Sequence, residues 1–280
     1  MRFGISTHLY HDVRLDRAHL LEVAGYGFDA VELFATRSHF DYHDAAAIDR
    51  LKGWLSDAGL GLHGIHAPIT DSIQGGRWGA TTYSTATSDA ARRQSAVREA
   101  AAALQIAREI PVDILVVHLG VPSAMTAAGD NNRSAAVRSV EEIYRLAEPL
   151  GVRVALEVIP NDLSAPASIV AMLERDLEAP RAGICLDFGH AFLMGDVPDA
   201  IETSAEHLIT THVHDNRGRA DDHLAPYSGA IDWDAALMSM QKIGYEGTYL
   251  FEVANTGSTA AVLEGARRAR QRFEKTLAHP

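Results

Sequence analysis

Histidine and carboxylate residues stand at the ends of short apolar segments throughout this 280-residue chain. The residues concerned are His66, His118, Glu157, Asp187, His190, His212, His214 and Glu252. Imidazole and carboxylate groups are the ligands that Zn²⁺ and Mn²⁺ commonly take from proteins. A pair of carboxylates can also act as general acid and general base. The pattern therefore points to chemistry assisted by a divalent metal ion.

Four of these residues are the main candidate metal ligands: Glu157, Asp187, His212 and Glu252. Each closes an apolar segment that should be buried, and an unpaired buried carboxylate is costly. Several carboxylates together would also repel each other. A divalent cation removes both problems. The mixed ligand set favours Zn²⁺ or Mn²⁺, is compatible with Co²⁺, and suits Mg²⁺ less well because of its histidine content.

Other histidines and one aspartate are candidates for the same site. Three residues are interpreted either as ligands or as hydrogen-bond partners of a substrate: His66, His118 and His190. Asp221 and His223 form an Asp-x-His pair, which is either a pair of metal ligands or part of a solvated loop. His8 follows the first apolar segment and could reach a substrate, whereas His11, His39 and His43 are expected at the surface.

Alternating β-rich and amphipathic segments would position these side chains. The predicted strands are Arg2–Ser6, Phe28–Leu33, Leu60–His66, Asp113–His118, Val152–Glu157, Ala182–Asp187, Leu208–His212 and Thr248–Glu252. The predicted helices are Leu15–Ala24, Ala45–Ala58, Ala90–Ile110, Ser134–Leu150, Ala165–Leu177, Asp234–Ile243 and Ser258–Leu277. Strand ends about 35 residues apart predict an α/β fold, a single (β/α)8 TIM barrel that spans residues 1–280 as one domain. In such a barrel the carboxyl ends of the strands meet at one face, where active sites lie.

Two connections are longer than the others, and both follow the carboxyl end of a predicted strand. Thr70–Ser88 is polar and glycine-rich, and Asp215–Ile231 is equally irregular. Long loops in compact domains are usually functional or disordered. Trp78 in the first loop is a candidate to close over a substrate and exclude water, although packing is the alternative.

Composition excludes several functional classes. A hydrophobic fraction of 47% and a charged fraction of 22% are typical of a globular protein. A net charge of −12 disfavours nucleic acid as a partner, because phosphate neutralisation supplies most non-specific affinity.

The single cysteine, Cys185, excludes an internal disulfide and is expected in the core. With no signal peptide or membrane-spanning run, the protein is expected in the cytoplasm. Nucleotide-binding glycine loops are also missing from the sequence, so no nucleotide cofactor is expected.

Seven short motifs occur in one order along nearly the whole chain: IHAP, VVHLG, LEV, CLDFGHA, HVHDNRGRADDH, SGAIDW and FEV. This set resembles the xylose-isomerase-like TIM-barrel superfamily, which contains sugar phosphate isomerases/epimerases and endonuclease IV. Similarity to the ketose 3-epimerases implies metal binding by the four main candidates, with Glu157 and Glu252 also serving as the acid/base pair. It further implies that His190 and Arg217 contact substrate oxygens, and it makes a homodimer possible.

The same positions also resemble the trinuclear zinc site of endonuclease IV. The ligands implied are His66, His118, Glu157, Asp187, His190, His212, Asp221, His223 and Glu252. All nine residue types are present. The acidic net charge and the lack of an obvious basic DNA-inserting loop count against a nuclease.

The predicted function is a metal-dependent isomerase or epimerase that acts on a small polyhydroxylated sugar or sugar derivative. Glu157 and Glu252 would transfer a proton, one on each face of the substrate, through a metal-stabilised enediolate. The same site could run a dehydration, so a sugar or inosose dehydratase is one alternative. A multinuclear-zinc phosphodiesterase is the second alternative. A sugar-binding regulator without catalysis is the third, and the presence of both glutamates argues against it.

Overall fold

Eight parallel strands close into a barrel in the computed structural model, which describes residues 2–74, 77–79, 81–127, 129–255 and 257–278. The strands are β1 (Arg2–Ser6), β2 (Ala30–Phe34), β3 (Gly61–His66), β4 (Ile114–His118), β5 (Arg153–Glu157), β6 (Gly183–Asp187), β7 (Leu208–Val213) and β8 (Thr248–Phe251). Each strand pairs with the next along the chain, and β8 pairs with β1 through Ile5 and Phe251 to close the ring. The predicted (β/α)8 TIM barrel is confirmed.

Helices surround the barrel and connect its strands. They are α1 (Arg17–Gly25), α2 (Ala45–Ala58), α3 (Ala90–Ala103), α4 (Arg133–Ala147), α5 (Pro166–Arg175), α6 (Phe188–Met194), α7 (Val197–Ser204), α8 (Trp233–Lys242) and α9 (Thr259–Leu277). α2 ends as predicted, because Gly59 takes a left-handed conformation with φ 66°. α3 ends earlier than predicted, since the chain tightens into a 3-10 helix over Leu104–Arg108.

Two helices and one hairpin were not predicted from the sequence. α6 begins directly at the end of β6 and is too short for a helical period to stand out. α7 carries a start signal that could have been used, since Asp196 caps it and a proline occupies its first turn. Within the predicted loop Thr70–Ser88, Ile73–Gln74 pairs with Arg77–Trp78 as a short antiparallel hairpin.

Apolar side chains fill the space between the barrel and its helices. Trp233 and Phe273 pack with ring centroids 5.2 Å apart, and both are fully buried. Cys185 is buried on β6, as predicted. The prediction that His39 lies at the surface was wrong, because its side chain is buried. Its Nδ1 donates to the Val13 carbonyl at 2.7 Å. In the part of the chain that the structure describes, no helix is long and apolar enough to cross a membrane.

Candidate metal centre

Four buried side chains converge at the carboxyl ends of β5 to β8, and we call them the deep cluster: Glu157, Asp187, His212 and Glu252. The Nδ1 atom of His212 lies 3.2 Å from Glu157 Oε1 and 3.5 Å from Glu252 Oε2. It lies 3.9 Å from Asp187 Oδ2. One atom from each residue falls within 4.8 Å of the others, so the four can share one ion.

A second group, the pair cluster, shares Glu157 with the deep cluster and adds His66 and His118. The Nε2 atoms of these histidines lie 3.2 Å and 3.0 Å from Glu157 Oε2. That oxygen is buried, yet it makes no hydrogen bond of acceptable geometry. Close approach without hydrogen-bond geometry is expected of ligands that surround an ion. Glu157 would therefore serve both groups if each held an ion.

The third group, the outer cluster, contains His190, His214, Asp221 and His223. Asp221 Oδ2 lies 3.0 Å from His190 Nε2 and 3.1 Å from His223 Nε2. The rings of His214 and His223 stack with centroids 4.0 Å apart. Asp221 is 37% exposed, so this cluster faces solvent more than the other two do.

Mutual charge governs protonation in the three clusters. Burial lowers the pKa of His66, but the Glu157 carboxylate outweighs it and raises the pKa to about 8. Burial also lowers the pKa of His223, but the nearby Asp221 carboxylate outweighs it and raises the pKa to about 10. Burial would raise the pKa of Glu157, yet His118 and His212 hold it well below its usual range. The pKa values of Glu157, Asp187 and Asp221 are all lowered, so these carboxylates are charged, and a bound cation would displace protons from His66 and His223.

The CLDFGH motif builds part of two clusters in one turn. Asp187 caps α6, since its Oδ1 accepts the backbone N–H of His190 at 2.7 Å. A Cβ atom at Gly189 would collide with the ring of His214, so only glycine fits there. Asp187 in turn contacts His214 Nε2 at 3.0 Å. The Asp187 carboxylate is thus held by the backbone at the start of α6 and by His214, which Gly189 leaves room for.

Asp215 holds the long loop that carries the outer ligands. Its side chain accepts hydrogen bonds from the backbone N–H of Gly229 and Ile231 and from Trp233 Nε1, at 2.9, 3.1 and 3.0 Å. Farther along, the His223 ring donates from Nδ1 to the Glu252 carbonyl at 2.8 Å. The predicted loop Asp215–Ile231 is irregular, as expected, and these bonds place Asp221 and His223 over the barrel.

Two residues of the site received no role from the sequence. His214 was noted at a strand end, and the structure places it in the outer cluster. Glu32 lies on β2, is 1% exposed, and its Oε2 is 3.1 Å from His212 Nε2. A signal existed, because Glu32 interrupts an apolar strand, and a buried carboxylate needs a partner.

A small cavity of about 110 Å³ opens onto these clusters. Its polar wall contains Glu157, Glu252 and most of the histidines, and Phe34, Ile69 and Ile73 form an apolar wall. His8 also lines it.

Two predicted substrate contacts are not placed in this cavity. Arg217 does not line it: its side chain is 64% exposed and lies 3.7 Å from Asp222. The side chain of Trp78 lies outside the described residues, so its predicted role stays a prediction.

The donor chemistry fits a divalent metal ion. Carboxylate oxygens and imidazole nitrogens are the only side-chain donors in the three clusters, without thiolates. Such sets bind Zn²⁺ and Mn²⁺. The buried Glu157 Oε2, without a hydrogen bond, is a further indication that a cation belongs there.

Comparison with known proteins identifies the family. An uncharacterized protein of Methanocaldococcus jannaschii is 27% identical over 267 residues, which cover 91% of this chain and 84% of that protein. The ketose 3-epimerase of Arthrobacter globiformis is 35% identical over 133 residues, 45% of this chain and 43% of the epimerase. The crystal structure of a D-tagatose 3-epimerase-like protein matches with a TM-score of 0.79 and 23% identity, covering 99% and 97% of the two chains. The profile of the xylose isomerase-like TIM barrel family matches residues 20–275, and the chain belongs to this family.

Proposed function

We propose that this protein is a divalent-metal-dependent isomerase or epimerase of a small sugar or sugar derivative. The observation that carries the proposal is the deep cluster, where Glu157 and Glu252 flank His212 at the wall of a small cavity. The partial similarity to a ketose 3-epimerase supports the same class of substrate. Zn²⁺ and Mn²⁺ suit the ligand set best.

The chain's own residues would perform the proton transfer. A bound divalent ion polarises the carbonyl oxygen of a ketose and so acidifies the neighbouring C–H. One glutamate then removes that proton, and the other returns a proton to the same carbon from the opposite face or to the adjacent carbon. His66 and His190 line the cavity, and they would hydrogen-bond substrate oxygens. The apolar wall of Phe34, Ile69 and Ile73 limits competing water.

A second candidate function is hydrolysis of a phosphodiester. One specific observation favours it: Glu157 belongs to both the deep and the pair cluster, and a third cluster adjoins them. All nine ligands implied by the resemblance to endonuclease IV lie in these three clusters. Several ions held side by side can generate hydroxide and stabilise a phosphate oxygen. A carboxylate bound between two ions would also be a poor proton acceptor.

Metal content and isotope exchange separate the two candidates. Protein is purified without metal-affinity resin, its ions per chain are measured by elemental analysis, and ketoses and inososes are then incubated with it in D₂O. One ion per chain with deuterium at the carbon beside the carbonyl supports the isomerase or epimerase. Two or three zinc ions per chain, no exchange, and cleavage of bis(p-nitrophenyl) phosphate support the hydrolase instead. A product lacking one water molecule would identify a dehydratase.

Glu252→Gln serves as the catalytic control. This substitution keeps the shape of the side chain and removes its capacity to accept a proton. Exchange at the wild-type rate in the variant would contradict the proposed acid/base role.

A further inference from the structure

We infer that Glu32 is a positioning residue, which orients His212 so that Nδ1 faces the deep cluster as a ligand atom. The inference rests on the proposed metal-dependent function, but it concerns metal binding and not turnover. Glu32 lies on β2, outside the strands that carry the ligands of the deep and pair clusters.

The two ring nitrogens of His212 have different partners. Nε2 lies 3.1 Å from Glu32 Oε2, whereas Nδ1 lies 3.2 Å from Glu157 Oε1. A neutral imidazole carries one N–H and one lone pair. If Nε2–H donates to Glu32, the lone pair is on Nδ1 and is aimed at the deep cluster. A carboxylate behind a ligating histidine is a common means of fixing the tautomer.

The surroundings of Glu32 favour its contact with His212. The residue is 1% exposed, and its second oxygen, Oε1, accepts a hydrogen bond from Ser6 Oγ at 3.1 Å. Among the described residues, His212 is the one ion-pair partner of Glu32 within 4.0 Å. A buried carboxylate is costly without a partner, so an apolar residue would suit β2 better if Glu32 had no role toward His212.

The alternation of side chains along β2 explains how Glu32 comes to face inward. Between Val31 and Glu32 the pairing of β2 with β3 shifts by one residue, and His63 is the extra residue on β3. His63 also turns into the barrel, where its Nε2 contacts Thr210 Oγ1 at 3.0 Å. The extra residue lies on β3, so the alternation along β2 is unbroken, and Glu32 lies on the same inward face as Phe34, which lines the cavity. From that face Glu32 reaches His212 on β7, across the barrel from β2.

Two substitutions of Glu32 and one control test the inference. Glu32→Ala removes the acceptor, and Glu32→Gln keeps an uncharged acceptor of the same shape. Ser6→Ala removes only the neighbour of Oε1. The dissociation constants of Zn²⁺ and Mn²⁺ are measured by chelator competition, and the visible spectrum of the Co²⁺-loaded protein reports ligand geometry.

We expect metal binding about 10- to 100-fold weaker in Glu32→Ala, the range typical for loss of a group behind a ligand. Glu32→Gln should be intermediate, and Ser6→Ala should change affinity less than about 3-fold. The Co²⁺ spectrum should shift in Glu32→Ala and recover in Glu32→Gln. A hydrogen-bonded Nε2–H signal of His212 in the imidazole ¹H–¹⁵N spectrum should be present in the metal-loaded wild type and altered in both Glu32 variants.

The possible outcomes distinguish failure of the inference from failure of the proposed function. Wild-type affinity and an unchanged Co²⁺ spectrum in both Glu32 variants would overturn it. If Glu32→Ala fails to fold, Glu32→Gln and the imidazole spectrum decide alone, and an unchanged spectrum would again overturn it. A wild type that binds metal through His212 without turning over any sugar would contradict the proposed function and leave the positioning role supported. A wild type that binds no ion would contradict both.

Discussion

The deep cluster and the outer cluster differ in what holds their ligands. Every residue of the deep cluster lies at a strand end, and the four side chains are between 0% and 4% exposed. The outer cluster depends on Asp221 and His223, which lie in a loop that bonds made by Asp215 hold in place. Ligands on rigid elements are better preorganised than ligands on loops. The deep cluster should therefore bind an ion more tightly and exchange it more slowly.

Glu157 belongs to the deep cluster and also contacts the outer cluster. It belongs to the deep and the pair cluster, and its Oε1 lies 3.6 Å from His190 Nδ1 of the outer cluster. Asp221, by contrast, makes its ion pairs with His190, His214 and His223, all members of the outer cluster, so a change at Asp221 should leave the deep cluster largely intact. A change at Glu157 should affect both inner clusters at once. Substitutions of single residues can test this asymmetry.

The largest effect is expected from Glu157→Gln. The substitution removes one charge from two clusters and leaves His66 and His118 without their buried carboxylate. Turnover should fall by about 10³-fold or more, since both a ligand and a proton-transfer group are lost. Metal content per chain should fall as well, as measured by elemental analysis. Glu246→Gln, an exposed substitution away from the site, is the control. Full activity in Glu157→Gln would refute the acid/base assignment.

Asp221→Asn should separate the outer cluster from the deep one. The loss of a direct ligand should weaken binding at the outer cluster by at least about 100-fold, beyond the effect of groups behind ligands. Affinity at the deep cluster should change much less, because Asp221 is not one of its ligands and reaches it through His190 and His214. Stepwise dialysis against chelator measures both.

Asp222→Asn is the matched control for that experiment. Asp222 is the neighbouring residue, belongs to none of the three clusters, and pairs with Arg217. It should retain every ion of the wild type. If Asp221→Asn instead lost the deep ion first, the proposed difference between the clusters would be wrong.

A smaller effect concerns pH and the metal-free protein. The pKa of His66 is raised from 6.5 to about 8, so its contribution to stability is full below pH 6.5 and is lost as pH rises through 8. That contribution is of order 2 kcal/mol. Urea unfolding of chelator-treated protein should therefore show falling stability across this window. The metal-loaded protein should show little of this fall, because a bound ion keeps His66 neutral.

His66→Gln is the control for the pH experiment. The variant lacks the titrating group, so its metal-free form should lose the slope near pH 8 while the slope toward pH 10, from His223, remains. The same slope in His66→Gln and wild type would assign the effect to another group. His39 does not interfere, because burial lowers its pKa to about 4, and it titrates below this window.

The sequence predicted the barrel well and the site in part. Strand ends were readable because β4, β5 and β6 are nearly continuous apolar runs, closed by His118, Glu157 and Asp187. Their meeting at one face follows from the closed parallel barrel, so the ligands could be grouped before any distance was known. The boundaries of the helices were predicted less accurately than the strand ends, and α6 was missed because it continues directly from β6.

The remaining features depend on contacts that spacing does not encode. Glu32 interrupts an apolar strand, but its contact with His212 joins residues 180 positions apart, and spacing along the chain does not encode that contact. The outer cluster depends on bonds from Asp215 to residues many positions later in the chain. Arg217 lies in the same loop, and its side chain pairs with Asp222, a contact that the position of Arg217 in the sequence does not predict.

The smallest effect is expected from Arg217→Ala. The side chain is 64% exposed, and its pairing with Asp222 at 3.7 Å is a surface contact of the kind that contributes about 0–1 kcal/mol. We expect less than about a 2-fold change in KM and in metal affinity. His190→Asn, which changes a residue of the cavity wall, should raise KM by at least about 10-fold because a buried hydrogen-bond partner is lost. A loss of similar size in Arg217→Ala would show that the loop rearranges on binding and brings Arg217 to the substrate. The outer cluster would then be part of a moving element, and its difference from the deep cluster would be one of motion as well as of affinity.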